Sequence, residues 1–330
     1  MEIKKHHRIL ITGGKGFLGK RLYDVLKHRG YEHVFAIGGT RSGTDLGEES
    51  TVGWLFQQIQ PDVVIHLAAR TGGFEAYAKH PGGYMYENLN MGLKIIEEAR
   101  HYNCLKFIMA SSIVSYPDTC PIPFKETDLW NGSPDPFTWS YGVAKRSLME
   151  LVAAYGSQFD FNTITLIFPT LYGPEDKIDP RWNRILPDII TRVKYNIQEE
   201  TEKFPVWNNE QASRDFLYVD DAAESIIFAM ERYDESDILN VGTGVEVYIR
   251  DLITKVCELM DYKGEVIWND TPPEGQPRKY LDVTKCKNKL GFEAKTSLED
   301  GLKQTIEWVE QTRKAVMNVS RNELPEGEIV

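Results

Sequence analysis

The chain has 330 residues, 42% apolar and 26% charged, enough for one large α/β unit or two lobes with an ample core. Its net charge of −11 excludes sequence-independent nucleic-acid binding, which needs a basic face, but leaves room for a local basic pocket around a small anion. Four cysteines without paired CxxC spacing give neither a zinc knuckle nor a disulfide framework and fit a reducing compartment. No run reaches the ~18 apolar residues of a membrane span, and the opening MEIKKHH leads directly into a strand, so the expectation is a cytoplasmic protein without a signal peptide.

Taken in order, residues 9–12 read as a short buried strand that runs into Gly13, Gly14, Lys15, Gly16 and Gly19. Gly13, Gly16 and Gly19 have the G-x-x-G-x-x-G spacing, which lets a backbone turn tightly and approach a pyrophosphate. The amphipathic helix over 18–28 then presents free N–H groups and its positive dipole end to that anion. Further strands are expected over 34–37, 63–68, 107–110 and 163–168, with helices over 86–101 and 140–159. This alternation predicts an α/β fold with a doubly wound parallel, Rossmann-type sheet.

After Tyr172 the loops lengthen and prolines recur, which suggests a smaller C-terminal substrate-binding lobe. Helices are expected near 220–232, 249–262 and 298–313, an extended stretch over 277–283, and a strand over 238–241 that rejoins the sheet. The division expected is a cofactor domain over 1–171, a lobe over 172–316 and a polar tail over 317–330.

The second constellation is Ser111-Ser112 at the end of the fourth strand with Tyr141 and Lys145 opening the long helix. Tyrosine and lysine at i and i+4 share a helix face. A free tyrosine hydroxyl titrates near pH ~10, too high for acid–base work at neutrality, and a neighbouring ammonium lowers that value. A serine hydroxyl can hold a carbonyl or alcohol oxygen. Beside a nicotinamide, the three form a proton relay.

With these motifs the chain resembles the extended short-chain dehydrogenase/reductase family from about Arg8 to Val309. Within it, the chain is most similar to the GDP-L-fucose synthases, which epimerise and reduce a GDP-4-keto-6-deoxy-mannose with NADP. The matching runs are LYGP at 171–174, SRDFLYVDD at 213–221, NVGTG at 240–244 and EGQPRKYLDVT at 274–284. The resemblance implies Ser112 (or Ser111), Tyr141 and Lys145 as the catalytic set and Gly13, Gly16 and Gly19 as the pyrophosphate turn. It implies a nucleotide-diphosphate sugar as substrate, held by Arg184, Arg192, Arg214 and Lys279, and a homodimer formed through the helices near 86–101 and 140–157. Arginine suits a diphosphate because its planar guanidinium donates two parallel hydrogen bonds.

The chain departs from that family where epimerisation occurs. Ile113 or Val114 stands at the family's cysteine, Arg184 at its histidine, and Thr170 at its asparagine. None of these replaces an acid and a base at the carbons flanking a ketone. The reductase set is intact, so the expectation is reduction at C4 without C3/C5 epimerisation. An alternative is a nucleotide-sugar 4-epimerase or C4 dehydrogenase with tightly held NAD, and a third is a non-catalytic cofactor-binding scaffold. For the cofactor, the second strand ends without the acid that binds an NAD ribose. Arg41 and Lys15 instead suit a 2′-phosphate, which favours NADP, with Asp45 as a candidate at the adenine end and Lys145 at the ribose.

Overall fold

A computed structural model describes residues 2–39, 43–176, 178, 185–207, 211–269 and 276–316. The elements run in this order: β1 (Arg8–Thr12), α1 (Phe17–His28), β2 (His33–Ile37), α2 (Glu49–Ile59), β3 (Val63–His66), α3 (Phe74–Lys79), α4 (Pro81–His101), β4 (Lys106–Ser112), α5 (Trp139–Phe159) and β5 (Thr163–Phe168). They continue with β6 (Thr170–Tyr172), α6 (Ile185–Gln198), β7 (Lys203–Trp207), β8 (Ser213–Arg214), β9 (Phe216–Tyr218), α7 (Val219–Arg232), β10 (Asp237–Asn240), β11 (Val247–Tyr248), α8 (Ile249–Leu259), β12 (Glu265–Asn269), β13 (Arg278–Lys279), α9 (Thr284–Leu290) and α10 (Leu298–Val316).

The large sheet has six parallel strands in the order β10-β5-β4-β3-β1-β2. Inner strands β3 and β5 are buried along their whole length because helices cover both faces. One face packs Leu22 and Leu26 of α1 with Ile226, Ile227 and Met230 of α7. The other packs Val52 and Phe56 of α2, Ile95 and Ile96 of α4, and Leu148 and Val152 of α5. Each such side chain contributes about 1.5–3 kcal/mol when fully buried. Chain direction across the sheet reverses between β1 and β3, and a ligand crevice opens beyond the C-terminal ends of such a pair. The glycine turn lies there.

A third core lies under the C-terminal elements, joining Tyr172, Ile190, Val193, Leu252, Val256, Leu302 and Val309. It carries a three-stranded sheet β11-β8-β13 and the pairs β12-β7 and β6-β9. The strand expected at 238–241 does rejoin the main sheet, as β10 beside β5. Helix α4 starts at Pro81 rather than 86, with proline at its first position and Gly82-Gly83 masking the apolar period behind it. The extended stretch expected over 277–283 pairs as a strand at Arg278–Lys279 and through a single parallel bridge from Leu281 to Phe124. Helices α2, α3, α6 and α9 were not expected from the sequence. No helix among the described residues is long and apolar enough to cross a membrane.

Candidate active site

The glycine turn is shaped by contact. Gly13 has φ +72°, and a Cβ there would lie 2.7 Å from the Ala68 amide nitrogen. A Cβ on Gly14 would sit 2.6 Å from Ala36 Cα, and one on Gly19 would sit 2.2 Å from the Gly13 carbonyl oxygen. These glycines therefore let β1, β2, β3 and α1 converge. Gly16 is the N-cap of α1; no side chain caps the helix, and its first turn holds no acid. The first turn of α1 thus carries no acid and no side-chain cap of its own, and the cradle fits a dinucleotide pyrophosphate.

Lys15 is exposed on this turn and borders a hollow of about 580 Å³ with Lys20, Tyr23, Ile37 and Glu175. That hollow includes none of Ser112, Tyr141 or Lys145. Arg41 lies outside the described residues. Asp45 Oδ1 accepts the Gly47 N–H at 2.8 Å, so its carboxylate shapes its own loop.

At the other side of the crevice, β4 ends in the two serines. Ser111 is buried, with its Oγ 3.3 Å from Ser115 Oγ. Ser112 is half-buried at the start of a short 3-10 turn (Ile113–Ser115) and makes no side-chain cap bond. Tyr141 and Lys145 lie one turn apart on α5, the Lys145 Nζ 5.8 Å from the Tyr141 ring centre. Lys145 is 2% exposed and donates to the Ala110 carbonyl at 3.0 Å. Burial pulls its ammonium down to about 8. His66, at the end of β3, is pushed down to about 3, first by burial and then by the Lys145 charge. It is therefore a neutral imidazole, bonded through Nδ1 to Thr12 Oγ1 at 2.7 Å.

The sequence reading missed the supports of this group. The Tyr141 ring stacks into a cluster with Tyr77 and Tyr84, its centre 5.6 Å from that of Tyr77. Asn88 is buried within α4 and pins the loop after β3 through Arg70 N (2.9 Å) and Arg70 O (3.0 Å). An asparagine on the buried face of an apolar helix was the available signal.

Of the four cations expected at the substrate, the structure brings two together. Arg214 on β8 and Lys279 on β13 are direct partners in a parallel pair. Arg214 Nη1 donates to the Ser213 and Pro277 carbonyls at 2.7 and 2.6 Å. Burial lowers its guanidinium to about 10, with Asp135 acting against it, so it remains charged at neutral pH. Lys279 is 5% exposed and donates to Asp135 Oδ2 at 2.7 Å. Burial, then the Arg214 charge, lowers its ammonium. Burial works to raise Asp135, but Lys279 and the Phe137 and Gln276 N–H groups outweigh it and hold the carboxyl below its usual range.

Arg192 stands apart on α6. Its guanidinium lies over Phe204 (4.9 Å), donates to the Pro205 carbonyl at 2.7 Å and faces Asp188 at 3.9 Å. None of these contacts joins it to Arg214 or Lys279. Arg184 lies outside the described residues. Two of the matched motifs also turn out to brace one another: Asp215 accepts the Thr243 N–H at 3.1 Å, the Thr243 hydroxyl at 2.5 Å and the Gly244 N–H at 3.2 Å. This ties the RDF run to NVGTG.

The NAD dependent epimerase/dehydratase family matches residues 9–242 of the sequence. The chain belongs to that family. It is an NAD(P)-dependent nucleotide-sugar oxidoreductase of the extended short-chain dehydrogenase/reductase class. It is 32% identical over 304 residues to GDP-L-fucose synthase 1 of Arabidopsis thaliana, covering 92% of this chain and 93% of that one. It is 30% identical over 310 residues to GDP-L-fucose synthase of Escherichia coli strain K12, covering 91% and 96%. Among solved structures it is similar to a GDP-mannoheptose C4 reductase from Campylobacter jejuni with NADP bound, at TM-score 0.83 and 26% identity, covering 93% and 99%. A UDP-glucose 4-epimerase from Thermotoga maritima with UDP-glucose aligns at TM-score 0.81 and 27% identity, also covering 93% and 99%.

Proposed function

We propose that this chain is an NADP-dependent reductase of a GDP-linked 4-keto sugar that acts at C4 and leaves C3 and C5 unepimerised. The observation that carries the reading is the buried Lys145 ammonium beside Tyr141, at the end of the strand that delivers Ser112. The names of the relatives, GDP-L-fucose synthases and an NADP-bound GDP-mannoheptose C4 reductase, support the base, the cofactor and the reacting carbon.

The glycine cradle and the α1 N-terminus hold the pyrophosphate, and Lys15 supplies positive charge for a 2′-phosphate. Bound NADPH would supply a hydride to the ketone carbon. Ser112 donates a hydrogen bond that orients the ketone oxygen. Tyr141 gives that oxygen its proton, so that C=O becomes CH–OH, and the Lys145 charge stabilises the tyrosinate left behind. Arg214 and Lys279 sit on the diphosphate side.

Loss of epimerisation is supported by the loop after Ser112. Ile113 is buried and apolar, and neither it nor Val114 can move a proton. Cys120 is no substitute: it is buried, and its thiol is pushed up to about 12, chiefly by burial. A homodimer through α4 and α5 completes the proposal, supported by the exposure of Tyr86 and Leu93 on α4 and Phe159 on α5.

The test is mass spectrometry of the small molecules released by denaturing the purified protein, followed by NADPH oxidation with a panel of GDP-4-keto sugars. NADPH consumption that yields C4 alcohols with C3 and C5 unchanged is expected, and Tyr141→Phe should abolish it while cofactor binding persists. Retained NAD with no NADPH consumption would establish the 4-epimerase or dehydrogenase alternative instead.

A further inference from the structure

The Tyr141 ring stands outside the three main cores. It belongs to a small cluster with Tyr77 on α3 and Tyr84 on α4, bordered by Ala69, Ala76 and Val114. All three rings are buried. Tyr77 is the middle layer. Its centre lies 4.7 Å from that of Tyr84 and 5.6 Å from that of Tyr141, with its plane tilted 33° from the Tyr141 plane. Both separations fall in the range that aromatic pairs favour.

The far end of this stack is anchored in backbone. The Arg70 guanidinium lies 4.4 Å from the Tyr84 ring centre, and the buried Asn88 holds Arg70 through its N–H and its carbonyl. The Tyr77 hydroxyl accepts the Gly72 N–H at 3.2 Å, which ties the middle ring to the same loop. The stack therefore grows from the loop after β3 toward the proton donor. Lys145 supplies charge from 5.8 Å but offers the ring no flat surface.

A proton donor must keep its hydroxyl within hydrogen-bond reach of the oxygen it serves. A tyrosine hydroxyl lies on the ring axis, so rotation about Cβ–Cγ leaves it in place, whereas a swing about Cα–Cβ carries it away. We propose that Tyr77 is a positioning residue whose ring blocks that swing and keeps the Tyr141 hydroxyl aimed at the ketone oxygen. The proposal rests on the reductase reading above and adds to it a residue outside the Ser112, Tyr141 and Lys145 set.

Steady-state kinetics in H2O and D2O test it, with the GDP-4-keto sugar that the wild type turns over fastest. Tyr77→Ala should lower kcat by about ten- to a hundredfold, the cost of a donor displaced by about 1 Å, with little change in KM or in NADPH affinity. Its solvent isotope effect on kcat should rise, because a loosely held donor makes proton transfer the slower step. Tyr77→Phe keeps the ring and should recover most of the kcat and the wild-type isotope effect. Tyr77→Leu fills the volume without a flat face; it should lose nearly as much as Tyr77→Ala and serves if the alanine variant fails to fold. A wild-type kcat and isotope effect in Tyr77→Ala or Tyr77→Leu, with only a lowered melting temperature, would make Tyr77 a packing residue and overturn the proposal. A loss in Tyr77→Phe as large as in Tyr77→Ala would overturn it too, by assigning the effect to the hydroxyl. A wild-type protein that oxidises NADPH with none of the panel overturns the reductase reading itself, and the proposal with it.

Discussion

Lys145 Nζ bonds the Ala110 carbonyl oxygen at 3.0 Å, two residues before the half-buried Ser112. The last turn of β4 and the first turns of α5 are thereby locked together, and the cation that tunes Tyr141 is held by the strand that presents the serine. Because the ammonium is present below about pH 8 and absent above it, reductase kcat/KM should fall as pH rises through that value. Stability should move the other way. The folded-state value lies below the unfolded value of about 10.4, so the unfolded chain binds more protons across that window and the contribution of Lys145 to stability rises with pH. Comparing melting temperatures of wild type and Lys145→Met from pH 7 to 10 reads this directly. A difference that stays flat with pH would show that the lysine does not titrate there.

The Asp135–Lys279 pair joins the loop before α5 to the three-stranded sheet β11-β8-β13, and both groups are almost fully buried. Removing one partner of such a pair costs about 3–5 kcal/mol, because the other charge stays buried. Asp135→Asn should cost more than Lys279→Met, since it leaves Arg214 and Lys279 side by side with no counter-charge. The double variant Asp135→Asn/Lys279→Met should recover part of the loss. Urea denaturation of the four proteins measures the cycle, and strictly additive losses would mean that the pair contributes no coupling.

What could be read from the sequence was what lies within one or two elements. The strand-to-glycine turn, Ser112 at the end of β4, and Tyr141 and Lys145 at i and i+4 are short-range patterns whose spacing carries their chemistry. Asp135 and Lys279 are 144 residues apart, and their bond exists only once the loop before α5 has met β13. Arg192 comes from the resemblance, and it lies against Phe204, Pro205 and Asp188, apart from Arg214 and Lys279. Helix α2, ESTVGWLFQQI, hid behind a glycine and β-branched residues that lower helix propensity; packing of Val52, Leu55 and Phe56 overrides it. Arg41 and Arg184 lie outside the described residues; of the two cations expected at the 2′-phosphate, Lys15 is the described one.

Gly19→Ala should separate cofactor binding from general stability. Its Cβ would meet backbone on two sides, 2.2 Å from Gly13 O and 2.6 Å from Gly14 Cα, so the turn that cradles the pyrophosphate must open. NADPH affinity should fall by about tenfold or more, the equivalent of losing about 1.4 kcal/mol at the turn. Gly53→Ala is the matched control: it lies in the interior of α2 with no atom within 4 Å of a new Cβ, and should stabilise by about 0.5–1 kcal/mol without touching the cofactor. Fluorescence titration with NADPH and thermal melts of both variants give the two readouts. Equal NADPH affinity in Gly19→Ala and wild type would remove the glycine turn from the cofactor site.

His66 tests the electrostatics beneath the crevice. It is 1% exposed, stacked near Phe107 and bonded to Thr12, and a second cation beside Lys145 is disfavoured. Its folded value of about 3 lies far below the unfolded value of about 6.5. Between these limits the unfolded chain binds the proton and the folded one does not, so stability should fall as pH drops below about 6.5. His66→Gln, which can keep a hydrogen bond to Thr12 but has no proton to gain, should show a shallower decline in melting temperature from pH 6.5 to 5. NMR of labelled imidazoles in the wild-type protein should show one histidine that stays neutral throughout that range. A His66 resonance titrating near 6.5 would contradict the burial that ties the ends of β1 and β3 together.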